Sequence, residues 1–376
     1  MGRRDNFQWI ARNLYYIFIP IRLKPARAKL MDDLQHTLHT RYTDLTAEFL
    51  SHFRLMIQEV SDAQKRGAKG RIAYIQYSML RTELLGGAMN VLVEAYDASW
   101  LLDRTPIRSF YSSHWAYECL ERMLNGLREE LPHYQGTVTA VELDRIMLQE
   151  AALVNRYLVH FIRHSCRALE DFEWNSLMDL EQIFEVRVGE YLDASECVFR
   201  LDRRNRSTEE IGEALEESDG LEVMYAHFQG LDMSEMECSD LDFRYSRFDR
   251  IDLHSTDFQR CILIGTRWRN CSLENTDFTG SVLYGADFSG CSLERAVFRE
   301  IIGEVGHPEG LAQGPEYDAL NFENSNLSGA DFRGAHLRGA IFRGANLTDT
   351  LWEGADVEGA IFDDAERRRG LSDTFV

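Results

Sequence analysis

The residues whose spacing could support chemistry are few. His160 and His164 stand four apart, which would put two imidazoles on one face of a helix within reach of one metal ion. No second histidine pair and no Glu-x-x-His motif stands at matching helical spacing, so that ligand set stops at two. His36 and His39 raise the same idea and stop at the same point. Cys271 and Cys291, 20 residues apart, could form a metal or disulfide pair only if the fold stacks them. Glycine-rich phosphate loops, a nucleophile elbow, Cys-x-x-Cys pairs and kinase-type motifs are absent from the sequence. The expectation is a chain with no catalytic, cofactor-binding or metal-binding residues, and hence not an enzyme.

What could position such residues is clearest between Leu221 and Ala365, where a large or apolar residue returns at every fifth place. The centres include Phe228, Phe243, Phe248, Phe258, Trp268, Phe278, Phe288 and Phe298, and after one break Phe332, Phe342 and Trp352, for 25 repeats in all. Two residues before each centre stands a small or apolar residue, such as Thr256, Thr266, Ala286 or Ala330. Five is neither a helical nor a strand period. If the three residues ending at a centre are extended, the first and third point inward and the middle one outward. The next two positions, rich in Gly, Ser, Arg and Glu, then make a turn. One such unit cannot bury its own inner face, so the units must coil and stack. Thr, Ser and Ala fill the slots equivalent to Cys271 and Cys291, which makes those cysteines small packing residues.

Ala330-Asp331-Phe332-Arg333-Gly334 and Ala345-Asn346-Leu347 stand close to the A-(D/N)-L-x-x consensus, and in these residues the tract resembles the pentapeptide-repeat family. The resemblance implies a right-handed, four-sided β-helix with four repeats per coil. At a strand spacing of ~4.8 Å, about six coils would make a rod about 30 Å long.

The chain of 376 residues is long enough for a second domain in front of this tract. The fold class expected is α+β in two domains: a mainly helical domain with a small β element over 1–201, and the β-solenoid over 221–365. A charged linker, 202–220, should join them, carrying a short solvated helix from Ser207 to Glu217; a loop should be extruded at 301–319, and a tail should follow at 366–376. In the front domain the apolar spacing predicts helices over Pro25–Arg66, Ser113–Glu130 and Thr139–Glu170, a hairpin within Ile72–Trp100, and a short β-like stretch over Ile183–Val198. Phe7–Ile21 is too short and too interrupted to span a bilayer; it reads as a helix docked on its own domain, with an interfacial membrane anchor as the alternative.

Net charge is -21, which argues against direct nucleic-acid binding through phosphates. Seven cysteines without a secretory leader pattern suggest reduced thiols in the cytoplasm. With four repeats per coil, residues 20 apart stack, and the outward positions sort into faces. One is apolar (Met224, Tyr225, Tyr245, Ile262, Ile264, Val282, Tyr284) and one basic (Arg247, Arg250, Arg267, Arg269). Two are acidic, the first carrying Asp232, Glu235, Asp252 and Glu274, the second Glu237, Asp240, Asp257 and Asp277. The loop adds Glu304, His307, Glu309 and Glu316. If Phe322 takes the place that residue 303 would have had, Ile341 and Ile361 join the apolar face.

Two functions follow. The first is a non-enzymatic scaffold whose rigid acidic rod binds a protein partner, the apolar face docking the front domain, another chain or a second copy. The alternative, implied by the resemblance, is a DNA mimic that binds DNA gyrase or topoisomerase IV, type II topoisomerases, in quinolone or toxin resistance.

Overall fold

The computed structural model describes residues 18–134, 138–204, 207–217, 223–306 and 314–363. Two compact units divide between Arg200 and Leu201, with Gly314 and Pro315 grouped with the first.

The first unit is built on α1, Lys24–Lys65. Leu30, Leu34, Leu38, Leu45, Phe49, Phe53, Ile57 and Val60 recur at three- and four-residue steps, and all are buried, so one stripe of the helix faces the core. A short π-helical turn, Ile19–Leu23, leads into it. Of the helix expected over Phe7–Ile21, residues 7–17 lie outside the described residues. Against α1 pack α2, His114–Glu130, and α3, Ala140–Ser165. Thr139 caps α3, its side chain accepting from the Glu142 amide.

Five strands form one sheet in the order β3-β2-β1-β4-β5: β1 Ile72–Met79, β2 Asn90–Tyr96, β3 Ile107–Ser112, β4 Leu180–Glu190 and β5 Ser195–Asp202. β1 and β2 are the hairpin expected within Ile72–Trp100, antiparallel with Tyr77 opposite Val93. β4, parallel to β1, and β5 account for the later β-like stretch. β3 was not expected, because its Ile-Arg-Ser-Phe-Tyr-Ser alternation leaves Arg108, Phe110 and Ser112 exposed and only Tyr111 buried. Ile75, Tyr77 and Met79 bury one face of the sheet's centre. The other face carries a polar layer in which Trp100 Nε1 donates to Gln76 Oε1 at 3.0 Å and Arg108 Nε donates to Glu94 Oε1 at 2.7 Å.

The second unit is a β-helix. Parallel bridges join residues 20 apart, as in Asp232–Asp252, Asp257–Asp277 and Ile262–Val282, so four five-residue repeats complete one coil. The short parallel strands β6 His227–Gln229, β7 Arg247–Asp249 and β8 Arg267–Arg269 lie on one column. Each centre is tied to the next coil by its own amide: Phe258 N donates to Asp277 O at 2.7 Å and Phe278 N to Val297 O at 2.8 Å.

The short helix expected from Ser207 to Glu217 is present, but it is not solvated on all sides. Helix α4, Thr208–Glu217, buries Ile211 and Leu215 in the same cluster as Val223, Phe228 and Met233. The first coil would otherwise expose a stacked apolar end, and the four-residue spacing of Ile211 and Leu215 lets one helical face cover it.

The loop is also shorter than expected. Val282 bridges Ile302, and Ile302 bridges His336, so Ile301–Val305 is a regular repeat with Gly303 at its centre. Asp287 then bridges Asn321, 34 residues on instead of 20. The extrusion therefore falls between Val305 and Leu320, and its stem is marked by the antiparallel Gly306–Tyr317 bridge. Phe322 stacks above Phe288 at 5.4 Å. Ile341 and Ile361 consequently continue the column of Arg247 and Arg267, not the apolar one.

Candidate functional site

The surface of the solenoid is held in place by its interior. Apart from Phe243, the aromatic centres fall into two columns two repeats apart. Phe248–Trp268 stack at 3.8 Å and 3°, followed by Trp268–Phe288, Phe288–Phe322 and Phe322–Phe342. In the second column Phe258–Phe278 stack at 5.5 Å and Phe278–Phe298 at 4.9 Å, and the run continues through Phe332 to Trp352. Rings of the two columns meet edge to face, as Phe258 and Trp268 do at 83°. Phe228, Phe243 and the other aromatic centres named above are all buried.

The small inward residues form a second ladder. Thr256 Oγ1 donates to Met233 O at 2.8 Å, Thr276 Oγ1 to Leu253 O at 2.8 Å, and Ser281 Oγ to Phe258 O at 2.6 Å. Cys261, Cys271 and Cys291 make the same contact through sulfur, to Cys238 O, Phe248 O and Trp268 O. All seven cysteines are free. Burial raises the Cys238 and Cys261 thiols to about 12, so both remain protonated packing residues.

Outside this frame, an Asp or Asn placed before a centre has a structural task. Asp232 Oδ1 accepts from the Ser234 amide at 3.1 Å, Asp257 Oδ1 from Gln259 N at 2.7 Å and Asp277 Oδ1 from Thr279 N at 2.8 Å. Each carboxylate thereby closes the turn two residues on. Asn321, Asn326 and Asn346 do the same without charge. The last residue of nearly every repeat is left-handed. Gly265, at φ 64°, shows why glycine can be required there, since a Cβ would come 2.6 Å from the Tyr245 ring.

Asp232, Glu235, Asp252, Glu237 and Asp240 are exposed, and Glu274, Asp257 and Asp277 are partly buried. Asp240 is engaged by Arg260, Nε to Oδ1 at 2.7 Å, which lowers its pKa. Asp257 and Asp277 share the Gln259 amide at 3.3 and 3.1 Å. Neither acidic column persists along the rod: one runs Asp232, Asp252, Ser272, Ser292, Asn326, Asn346, the other Glu237, Asp257, Asp277, Val297, Asp331, Leu351.

On the apolar column, Tyr225 and Tyr245 stack at 5.1 Å, Ile262 is exposed, and Ile264 and Val282 are partly buried. Tyr284 is buried against Tyr317, ring centres 5.6 Å apart. Tyr317 entered no sequence reading, and only its short spacing after Gly314 and Pro315 marks it as a stem residue. Ile302 extends the column, which then turns polar at His336 and Asp356. Of the loop residues, Glu304 lies in the repeat centred on Gly303 and Glu316 is exposed near the stem. His307 and Glu309 lie outside the described residues.

In the first unit, His160 and His164 are neighbours, rings 4.1 Å apart, with His164 Nδ1 2.9 Å from His160 O. Among the described residues no group of three or more His, Cys, Asp or Glu side chains could hold a metal ion. Among them too, no helix is long and apolar enough to cross a membrane.

With the twenty-residue coil and its inward centres established, two family models match the same tract. A family described as "Pentapeptide repeat region" matches residues 222–298, and one described as "Pentapeptide repeats (8 copies)" matches 320–351 and 340–368. Over residues 222–298 and 320–368 the chain is a pentapeptide-repeat region. Solved structures similar to it include QnrB1, a plasmid-mediated fluoroquinolone resistance protein (19% identity, 40% of this chain, 79% of that one, TM-score 0.21). Others are Rfr23 from the cyanobacterium Cyanothece (21%, 40% and 96%, TM-score 0.15) and HetL from the cyanobacterium Nostoc sp., involved in heterocyst differentiation regulation (19%, 43% and 98%, TM-score 0.12). No curated protein matches the chain.

Proposed function

We propose that this protein is a non-enzymatic protein-interaction scaffold, in which a right-handed, four-sided pentapeptide-repeat β-helix presents faces of fixed and distinct chemistry. We take the front domain to end near residue 201, a charged linker to span 202–220 with its helix α4 capping the rod, and the solenoid to run over 221–365. The free cysteines fit a reducing compartment such as the cytoplasm. The observation that carries the reading is the pairing of a stacked, hydrogen-bonded interior with an outward column, Ile262–Val282–Ile302, that is apolar where the turns need no apolar residue. Groups held this rigidly lose little entropy on binding a partner.

The alternative, mimicry of duplex DNA toward DNA gyrase or topoisomerase IV, needs a continuous acidic stripe. Here Ser272, Ser292, Val297 and Leu351 interrupt both columns. The scaffold reading is therefore preferred.

The test is co-purification from the native host with the full chain, Ile262→Asp/Val282→Asp, and Asp252→Asn/Asp257→Asn/Asp277→Asn. The apolar variant should lose the partner and the amide variant keep it. The reverse, together with an effect of the wild-type protein on gyrase supercoiling, would favour mimicry. A partner retained by both variants would remove these faces from the binding surface.

A further inference from the structure

The first unit holds a cleft of about 330 Å³ between α1 and α2, narrowest in side chain at Ala26 and Gly126 and floored by Leu30, Met123 and Leu127. A volume of this size lies within the range of small-molecule pockets. Gly126 stands inside α2, where glycine is destabilising relative to alanine. No neighbour requires it, because a Cβ added there would meet no atom within 4 Å. One larger side chain would close the gap, and the fold leaves it open.

Charge lies at both ends of the cleft, and the two ends differ. At one end Arg22 Nη2 is 3.1 Å from Glu130 Oε2. At the other, Arg122 Nη2 and Lys29 Nζ stand 3.9 and 3.7 Å from Asp33 Oδ2, at the outer limit of an ion pair, and Arg122 Nη1 is 3.3 Å from Glu118. The Lys29 side chain is 76% exposed. Arg122 Nη2 also donates to Cys119 Sγ at 3.2 Å. The ion pairs at this end are exposed and contribute little to stability, so Lys29 and Arg122 can turn to an incoming anion. The lining itself carries three cations, Arg22, Lys29 and Arg122, against two carboxylates, Asp33 and Glu130.

We propose that this cleft binds a medium-chain amphiphilic carboxylate. Its alkyl chain lies along Leu30, Met123 and Leu127, in the room left by Gly126, and its carboxylate sits between Lys29 and Arg122. At that end the lining carries two cations, Lys29 and Arg122, against one carboxylate, Asp33, and over an apolar floor this favours an anionic head over a cationic one on the same chain.

The experiment is isothermal titration of the full chain with decanoate below its micelle concentration, with decyltrimethylammonium as the opposite-charge control. Decanoate should bind saturably and the ammonium should not. Gly126→Leu should abolish decanoate binding with the melting temperature held or raised, since the new side chain fills the cleft. Arg122→Gln should weaken binding about tenfold, as loss of one charge-assisted hydrogen bond does. Absence of saturable decanoate binding, equal binding of both amphiphiles, or full binding by Gly126→Leu would each overturn the proposal. Should Gly126→Leu lower the melting temperature, Arg122→Gln decides, and unchanged affinity there overturns it as well.

Discussion

Gly303 and Leu320 share one place in the core of the solenoid. A Cβ built on Gly303 would come 2.3 Å from Leu320 Cδ2, so the centre of that repeat is empty because the residue returning from the inserted loop fills it. Gly303→Leu should destabilise the rod by about 1–3 kcal/mol through overpacking. The same pairing sets the limits of the loop. Deleting residues 307–316 should leave the coil intact, whereas deleting 301–319 removes Ile301, which is fully buried, and the Ile302 bridge to His336. Melting temperatures of the three variants check this, and a stable 301–319 deletion would contradict the placement of Gly303.

The five-residue beat made most of the solenoid legible, because it depends on buried side chains that the sequence names directly. The beat fails where a centre has no side chain. Gly303 gives no mark, so the break reads as 301–319, and the register beyond it slips by one repeat. Ile341 and Ile361 then fall by coincidence beside Ile262. β3 was missed because an edge strand with one buried side chain has little pattern to read. α4 reads as solvated in the sequence because its many acidic residues mask two apolar positions. The cleft beside Gly126 depends on how two helices pack, and the spacing of apolar residues along each helix does not report it.

The turn-capping carboxylates separate fold from charge. Asp277 Oδ1 accepts from Thr279 N and, at 2.5 Å, from Thr279 Oγ1, while Asn326 makes the same two contacts with Ser328. Asp277→Asn should therefore leave the melting temperature nearly unchanged. Asp277→Ala leaves a turn amide without its partner and should cost about 1 kcal/mol, the usual worth of such a cap. Equal losses from both substitutions, measured by denaturant unfolding, would mean that charge and not the hydrogen bond matters there.

Helix α4 closes the first coil. Ile211 and Leu215 are 8% and 5% exposed and join the cluster of Val223 and Phe228. Leu215→Asp should expose that end and cost at least about 2 kcal/mol, from lost burial and an unpaired carboxylate. An uncovered stack of parallel strands is also a template for association. Light scattering should then show concentration-dependent oligomers in the variant, and a monomer with unchanged melting would leave α4 without a capping role.

His52 gives the first unit a pH dependence. Its Nδ1 lies 3.3 Å from Tyr77 Oη and its Nε2 3.2 Å from Ser109 Oγ, and burial lowers its pKa. Burial raises the Tyr77 hydroxyl well above its ordinary value, so Tyr77 stays protonated and can donate to Nδ1. His52 Nε2 then carries the proton and donates to Ser109. A folded-state pKa lowered below the ordinary value of about 6.5 means that the unfolded chain takes up the proton first. The stability that His52 contributes is complete above that value and is lost as the pH falls through it toward the folded pKa. His52→Gln keeps a donor and an acceptor but cannot titrate, so its melting temperature should fall less than that of the wild type between about pH 7 and about pH 5. Parallel pH profiles for the two proteins would show that His52 is not the group responsible.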